Sequence, residues 1–254
     1  MKDFLVRQTH AFWVALQFLT TLPTPGQGYS DARVQGLSLL WYPVVGLLIG
    51  MVLTLVCSAL PVPFYLQAVI TVVAWVLLTG GLHLDGVADC ADAWVGGLGD
   101  RDRTMRLLKD PLCGSMGVTA LILVLALKTA ALAAIIEAEQ LVWLWCVPLF
   151  ARLSLLLLFL TTPYVREQGL GAVLAQYFSR TWAKCIMVGT AIAFLVLVPF
   201  DLWCAFVITL LSISLLLRWS AMRRLGGFTG DVAGAQVELV EVGLLLALAC
   251  QSVA

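Results

Sequence analysis

"PFYLQAVITVVAWVLLTGGLHLDGVADCADAW", residues 63 to 94, passes from an oily half to an acidic half across two adjacent glycines. The first half, 63–83, has no acidic or basic residue apart from His83 and is about 20 residues long, enough to cross a hydrocarbon core as a helix. The second half sets Asp85, Asp89 and Asp92 within eight residues. A chain that puts a membrane span directly before a carboxylate stripe has a boundary there, and the rest of the sequence shows on which side.

The whole chain shares the oily character. Of its 254 residues 61% are hydrophobic and 12% charged, with a mean hydropathy of +0.99, which excludes an ordinary water-soluble surface. The expected fold is all-α: a polytopic membrane helical bundle forming one catalytic domain over 1–254. Runs of suitable length fall at 37–58, 63–83, 116–136, 141–161, 185–200, 202–217 and 236–253, about seven spans, with the fifth and sixth short and separated by "PFD". Before them, the run from Ala11 to Leu22 is too short to span and lacks a signal-peptide cleavage pattern, so it reads as an interfacial amphipathic helix. Seven scattered cysteines, with no C-x-x-C pair, suggest neither a zinc site nor a disulfide framework.

A formal charge of +0 offers no basic surface for nucleic acid, but the placement of charge is informative. Lys2, Arg7, Arg33, Arg101, Arg103, Arg106, Lys109, Arg166, Arg180, Lys184, Arg218, Arg223 and Arg224 all fall in alternate loops on one side. The opposite turns hold only Glu137, Glu139 and Asp201, while Lys128 and Arg152 lie within spans. By the positive-inside rule the N-terminus and the segments 23–36, 84–115, 162–184 and 218–235 are cytoplasmic. Polar residues gathered at one face suggest an interfacial enzyme more than a carrier, which needs polar groups through the membrane depth.

At about 100° per residue Asp85, Asp89 and Asp92 fall within ~60° of one helical face. Like charges so placed need compensation, and an all-oxygen set points to a hard cation such as Mg²⁺ or Mn²⁺. The plain alternative is a solvated helix start with Asp85 as N-cap. A second acidic site, "GGFTGDVAGAQVELVE" at 226–241, joins Gly226, Gly227 and Gly230 to Asp231, with Glu238 and Glu241 following. Its glycines allow backbone N–H groups near a phosphate, or form an ordinary turn before a capped helix.

Arg152, inside a span, is expected to face a carboxylate or a phosphate, or to form a purely structural pair; Lys128 reads as structurally paired and His83 as a packed histidine. "GDRDRTMRLLKDPLCGSMG" at 99–117 supplies Arg101, Arg103, Arg106 and Lys109 as an anion clamp or as headgroup anchors, and "YVREQGLG" at 164–171 adds Arg166. Carboxylates for a metal, glycine-rich turns and arginines on one surface are the parts for phosphoryl transfer.

"GGLHLDGVADCADAW", "KDPLCGSMGV", "YVREQGLG" and "LGGFTGDVAGAQVELVE", with "LQFLTTLPTP" and "WYPVVGLLIG" earlier, closely resemble the cobalamin synthase (adenosylcobinamide-GDP ribazoletransferase) family over nearly the whole chain. The resemblance implies the last assembly step of vitamin B12 in a bacterial inner membrane. In it α-ribazole or its 5′-phosphate attacks the cobinamide-linked phosphate of adenosylcobinamide-GDP, and GMP leaves. It also implies Mg²⁺ dependence, and places the family's acidic motif on Asp85, Asp89 and Asp92 and its Gly-Asp motif on Gly230 and Asp231. Catalytic and metal roles are therefore expected at Asp85, Asp89, Asp92 and Asp231. Substrate binding is expected at Arg101, Arg103, Arg106, Lys109, Arg152, Arg166, Gly227 and Gly230. The "DG-x-A" opening also resembles the CDP-alcohol phosphotransferases, but Ala88 is followed by Asp89 instead of Arg and the later aspartates of that motif are missing. A lipid-synthesis phosphotransferase and a non-catalytic corrinoid-binding membrane protein stand as alternatives, and homo-oligomerisation is left open.

Overall fold

The computed structural model describes residues 2–25 and 31–251, with side chains from residue 5 onward. Helix α1 (Lys2–Leu19) leads into α2 (Ala32–Ser38), a single 3₁₀ turn at Leu39–Trp41 and α3 (Tyr42–Ser58). Then come α4 (Phe64–Thr79), α5 (Leu82–Gly96), α6 (Arg101–Leu107), α7 (Ser115–Glu137) and α8 (Cys146–Thr161). The chain closes with α9 (Leu170–Tyr177), α10 (Arg180–Leu197), α11 (Phe200–Leu225) and α12 (Gly230–Gln251). No strand forms among the described residues beyond one isolated bridge between Tyr164 and Phe228.

Six segments are long and apolar enough to cross a membrane: Ala32–Ser58, Ser115–Glu137, Leu141–Thr161, Arg180–Leu197, Phe200–Leu225 and Gly230–Gln251. Helices α4 and α5 pass the same test only together and are bent by 92°. Gly80 and Gly81 cause the bend: both take left-handed φ, 64° and 66°, a conformation open to glycine at little cost, so α4 stops and α5 leaves at a right angle. Counting this bent pair as one span gives seven, with the aspartates on its leg beyond the bend.

Several boundaries move from those expected, always toward polar residues that a search for oily runs overlooks. The first span begins at Ala32, not 37, because Asp31 caps it, its carboxylate accepting from the Arg33 N–H at 2.9 Å. The "PFD" break falls earlier, at Val198–Pro199, and Phe200 and Asp201 already belong to the first turn of α11. That helix runs on past 217 through Arg218, Arg223 and Arg224 until Gly226, at φ 73°, ends it. The last span starts at Gly230, not 236, and so includes Asp231; residues 252 and 253, its expected end, lie outside the described residues.

In lipid there is little hydrophobic drive between helices, so close backbone approach at small residues matters. Gly46 and Gly50 on α3 do this against α8: a Cβ at either would stand 2.4 Å from the Pro148 carbonyl oxygen and 2.5 Å from that of Trp145. Buried side chains then run continuously from Ala15 on α1 to Ala249 on α12.

Candidate active site at the bent helix

A glycine contact brings the two acidic motifs together. On α5, a Cβ at Gly86 would lie 2.5 Å from the Asp231 carbonyl oxygen, and on α12 one at Gly234 would lie 3.3 Å from that of His83. The two backbones therefore touch, and Asp85, beside Gly86, meets Asp231. A second loop joins them. The Val165 N–H donates to the Phe228 carbonyl at 3.0 Å and the Phe228 N–H to the Pro163 carbonyl at 2.9 Å. Gly227 is needed for this pairing, since a Cβ there would sit 2.2 Å from the Pro163 oxygen. It is therefore committed to the turn, whereas Gly230, with open space around it, lines the cavity described below.

The pairing delivers Arg166. Its Nη2 donates to Asp231 Oδ2 at 2.6 Å and to the Leu108 carbonyl at 2.8 Å, while the Thr229 hydroxyl donates to the same Asp231 oxygen at 3.1 Å. Asp85, Asp89, Asp231, Arg166, Lys109 and Asp110 line one open basin of about 840 Å³. Partial burial, then the charges of Asp85 and Asp231, push the Asp89 carboxyl up to about 6, with Arg166 opposing them.

Asp92 is used differently. Its Oδ2 accepts from the Gly114 N–H at 2.7 Å and its Oδ1 from the Gly117 N–H at 2.9 Å, so α5 supplies the cap for the start of α7. Gly114 and Gly117 admit it, since a Cβ on either would come within 2.5 Å of a carboxylate oxygen. Among the described residues no three carboxylate, imidazole or thiol groups converge tightly enough to enclose a metal on their own. Asp85, Asp89 and Asp231 form an open, one-sided oxygen set instead. Such a set suits Mg²⁺, which keeps several waters and takes phosphate oxygens beside one or two carboxylates.

The expected clamp divides. Lys109 reaches the basin, but Arg101, Arg103 and Arg106 stand exposed on α6 and line neither cavity at the aspartates. Arg152 is fully buried away from the basin and donates to Glu241, so of its expected partners a carboxylate of the chain itself takes it. Lys128 pairs with the same Glu241 and with Glu238 at 2.6 Å, above the Trp75 ring at 4.5 Å. Sequence reading left Glu238 and Glu241 at a helix start without partners; two bases and two acids inside the same membrane were the signal that they belong together.

Behind Asp85 and Asp231 lies a second, smaller cavity of about 300 Å³ that runs inward to Phe18, Tyr42, Leu155 and Phe159. Nothing in the local sequence placed α1 and α3 on its wall.

With this geometry in hand, the comparisons with known proteins agree on one family. The model of cobalamin-5-phosphate synthase matches residues 11–249. The chain belongs to the cobalamin-5-phosphate synthase family. Among curated members of this synthase family, it is 47% identical to the adenosylcobinamide-GDP ribazoletransferase of Pseudomonas syringae pv. syringae, covering 94% of this chain and 98% of that one. It is 48% identical to the enzyme of that name from Pseudomonas fluorescens, with the same coverage. Against the one from Acinetobacter baumannii it is 45% identical over 92% of this chain and 94% of that one. No solved structure matches this chain.

Proposed function

We propose that this protein is an adenosylcobinamide-GDP ribazoletransferase acting in cobalamin synthesis at the cytoplasmic face of the bacterial inner membrane. The observation that carries the reading is the meeting of Asp85 and Asp89 with Asp231 and Arg166 in one basin. These residues come from three of the motifs shared with a family whose curated members bear that name. The basic loops fall on the same side as the basin, which supports the cytoplasmic placement. Large apolar side chains left outside the bundle, such as Val196 at 78% and Leu55 at 69% exposed, fit a lipid surround.

In the reaction, a hydroxyl oxygen of α-ribazole or its phosphate bonds to the cobinamide-linked phosphorus of adenosylcobinamide-GDP. The bond from that phosphorus to the bridging oxygen breaks, GMP leaves with the electron pair, and the hydroxyl proton passes to a carboxylate of the site. Arg166 and Lys109 offset the pyrophosphate charge, Thr229 and Arg166 fix the orientation of Asp231, and Asp92 holds α5 against α7. Asp85, Asp89 and Asp231 would hold Mg²⁺, which when bound would supply charge neutralisation at the phosphates.

The test is GMP release by the purified protein in detergent with adenosylcobinamide-GDP, α-ribazole and Mg²⁺. Release that needs all three is expected. A product formed instead from CDP-diacylglycerol and an alcohol would replace this reading with the lipid-synthesis one, and tight corrinoid binding without GMP would leave a binding protein.

A further inference from the structure

The inner cavity and the outer basin share four lining residues, Leu82, Asp85, Arg166 and Asp231. The reactive carboxylates therefore stand at a doorway between two compartments of opposite character. Outside, four aspartates, Lys109 and Arg166 surround open space. Inside, the walls are mostly aromatic and aliphatic: Phe18 stacks on Tyr42 with ring centroids 5.9 Å apart, and Phe228 stands edge-on to Phe159 at 4.9 Å and to Tyr164 at 5.3 Å. Three buried polar atoms of its lining residues lack a hydrogen-bond partner: Tyr42 Oη, Arg166 Nε and His83 Nδ1. His83 is 5% exposed, and its Nδ1 has no hydrogen-bond partner. Leaving such an atom unpaired is costly, and a suitable ligand recovers that cost.

A transfer between two large substrates needs two compartments meeting where the reacting atoms meet. The chamber of about 300 Å³ is at the lower end of small-molecule pockets and far too small for a corrinoid. An acyl chain would leave all three of these polar atoms unpaired. A flat, weakly polar heteroaromatic ring joined to a sugar suits it: the ring lies between the aromatic walls, one edge atom meets His83, and the sugar hydroxyl reaches the doorway. Ribazole, a ribose on a dimethylbenzimidazole base, is such a molecule.

We propose that this chamber is the acceptor subsite, taking the aromatic base of the attacking alcohol with His83 as its specificity-determining contact, while the outer basin takes the pyrophosphate of the donor. The assignment rests on the ribazoletransferase reading above and adds to it the place and orientation of one substrate.

Leu174 lines the chamber away from the doorway, so Leu174→Trp fills it without touching the carboxylates. In the full-length protein in lipid nanodiscs, this variant is expected to raise the KM for α-ribazole at least tenfold while the KM for adenosylcobinamide-GDP stays within about twofold. His83→Phe is expected to act in the same direction, and His83→Gln, which can still hydrogen-bond, to restore most of the affinity. Equilibrium dialysis of radiolabelled α-ribazole, with no donor present, reads the same site without turnover. Binding by the parent protein that Leu174→Trp and His83→Phe both weaken supports the subsite. Unchanged α-ribazole binding in both, or a rise confined to the donor KM, overturns it. If Leu174→Trp fails to fold, the His83→Phe and His83→Gln pair decides alone. Failure of the underlying activity looks different: the parent binds α-ribazole yet releases no GMP.

Discussion

Two clusters of charge hang on α12, one at its first turn and one further along, and they are built on opposite rules. Midway, Lys128 and Arg152 face Glu238 and Glu241, two charges of each sign, all buried and mutually paired. At the start of the helix, four aspartates face one lysine and one arginine across open space. The balanced cluster is charge-neutral within the chain. The unbalanced one keeps an excess of two negative charges, counting Asp85, Asp89, Asp110 and Asp231 against Lys109 and Arg166. Buried ions need their partners to offset lost hydration, whereas an excess of one sign at a surface persists when something outside the chain completes it. On this contrast the inner quartet holds the bundle together, while the outer group stays open to a ligand.

The contrast predicts opposite outcomes for single changes. Asp89→Asn is expected to lower GMP release by about a thousandfold or more, the several kcal/mol that a metal-held phosphate is worth, while leaving thermal unfolding in detergent unchanged or slightly raised because a like charge is gone. A variant that stays active and still needs Mg²⁺ would remove Asp89 from the metal set. Arg152→Met reverses the pattern. Leaving Glu238 and Glu241 to share Lys128 alone is expected to cost about 3–5 kcal/mol of stability, seen as poor recovery of folded protein and early unfolding on heating, with the surviving fraction still turning over.

Smaller effects sharpen the boundary between the clusters. Gly86→Ala drives a methyl toward the Asp231 carbonyl, 2.5 Å from where a Cβ would stand. Expected are about 1–3 kcal/mol of destabilisation and roughly a tenfold slower release of GMP, because Asp85 and Asp231 move apart. Arg166→Lys keeps the charge but loses the longer planar head whose Nη2 donates to both Asp231 and the Leu108 carbonyl, so kcat should fall about tenfold with little change in unfolding temperature. Last, Arg101→Ala, Arg103→Ala and Arg106→Ala, taken singly, should each change kcat/KM by less than about threefold, since these side chains stand exposed on α6 outside both cavities. A large loss at any of them would extend the active site across α6.

Much of the architecture was legible in the chain itself. Seven crossings follow from apolar runs and from bases confined to alternate loops, and the polar helix ends were missed because hydropathy does not register a capped or amphipathic turn. That Asp85, Asp89 and Asp231 matter was suggested by spacing and glycine context, and the structure brings them to one basin. Asp92 carried the same signal, yet both its oxygens are engaged with the Gly114 and Gly117 N–H groups. Helical phase says which way a side chain points and nothing about which neighbour lies in that direction. Arg152 shows the converse: that a base inside a span must be paired was readable, but its partner, on a helix distant in sequence, was not.

The sequence by itself determined the membrane setting and the family, since length, hydropathy and motif order are all properties of the linear chain. Only the tertiary structure decided how the parts are used. It put Gly86 against α12 so that two acidic motifs became one basin, and it gave Arg166 to Asp231 through the Tyr164–Phe228 bridge. It also set Phe18 and Tyr42 around an inner chamber that no local pattern announces. The physical reason is that a solvent preference is written in each segment separately, while a site is a set of distances between segments, fixed by which backbones can approach closely enough to touch.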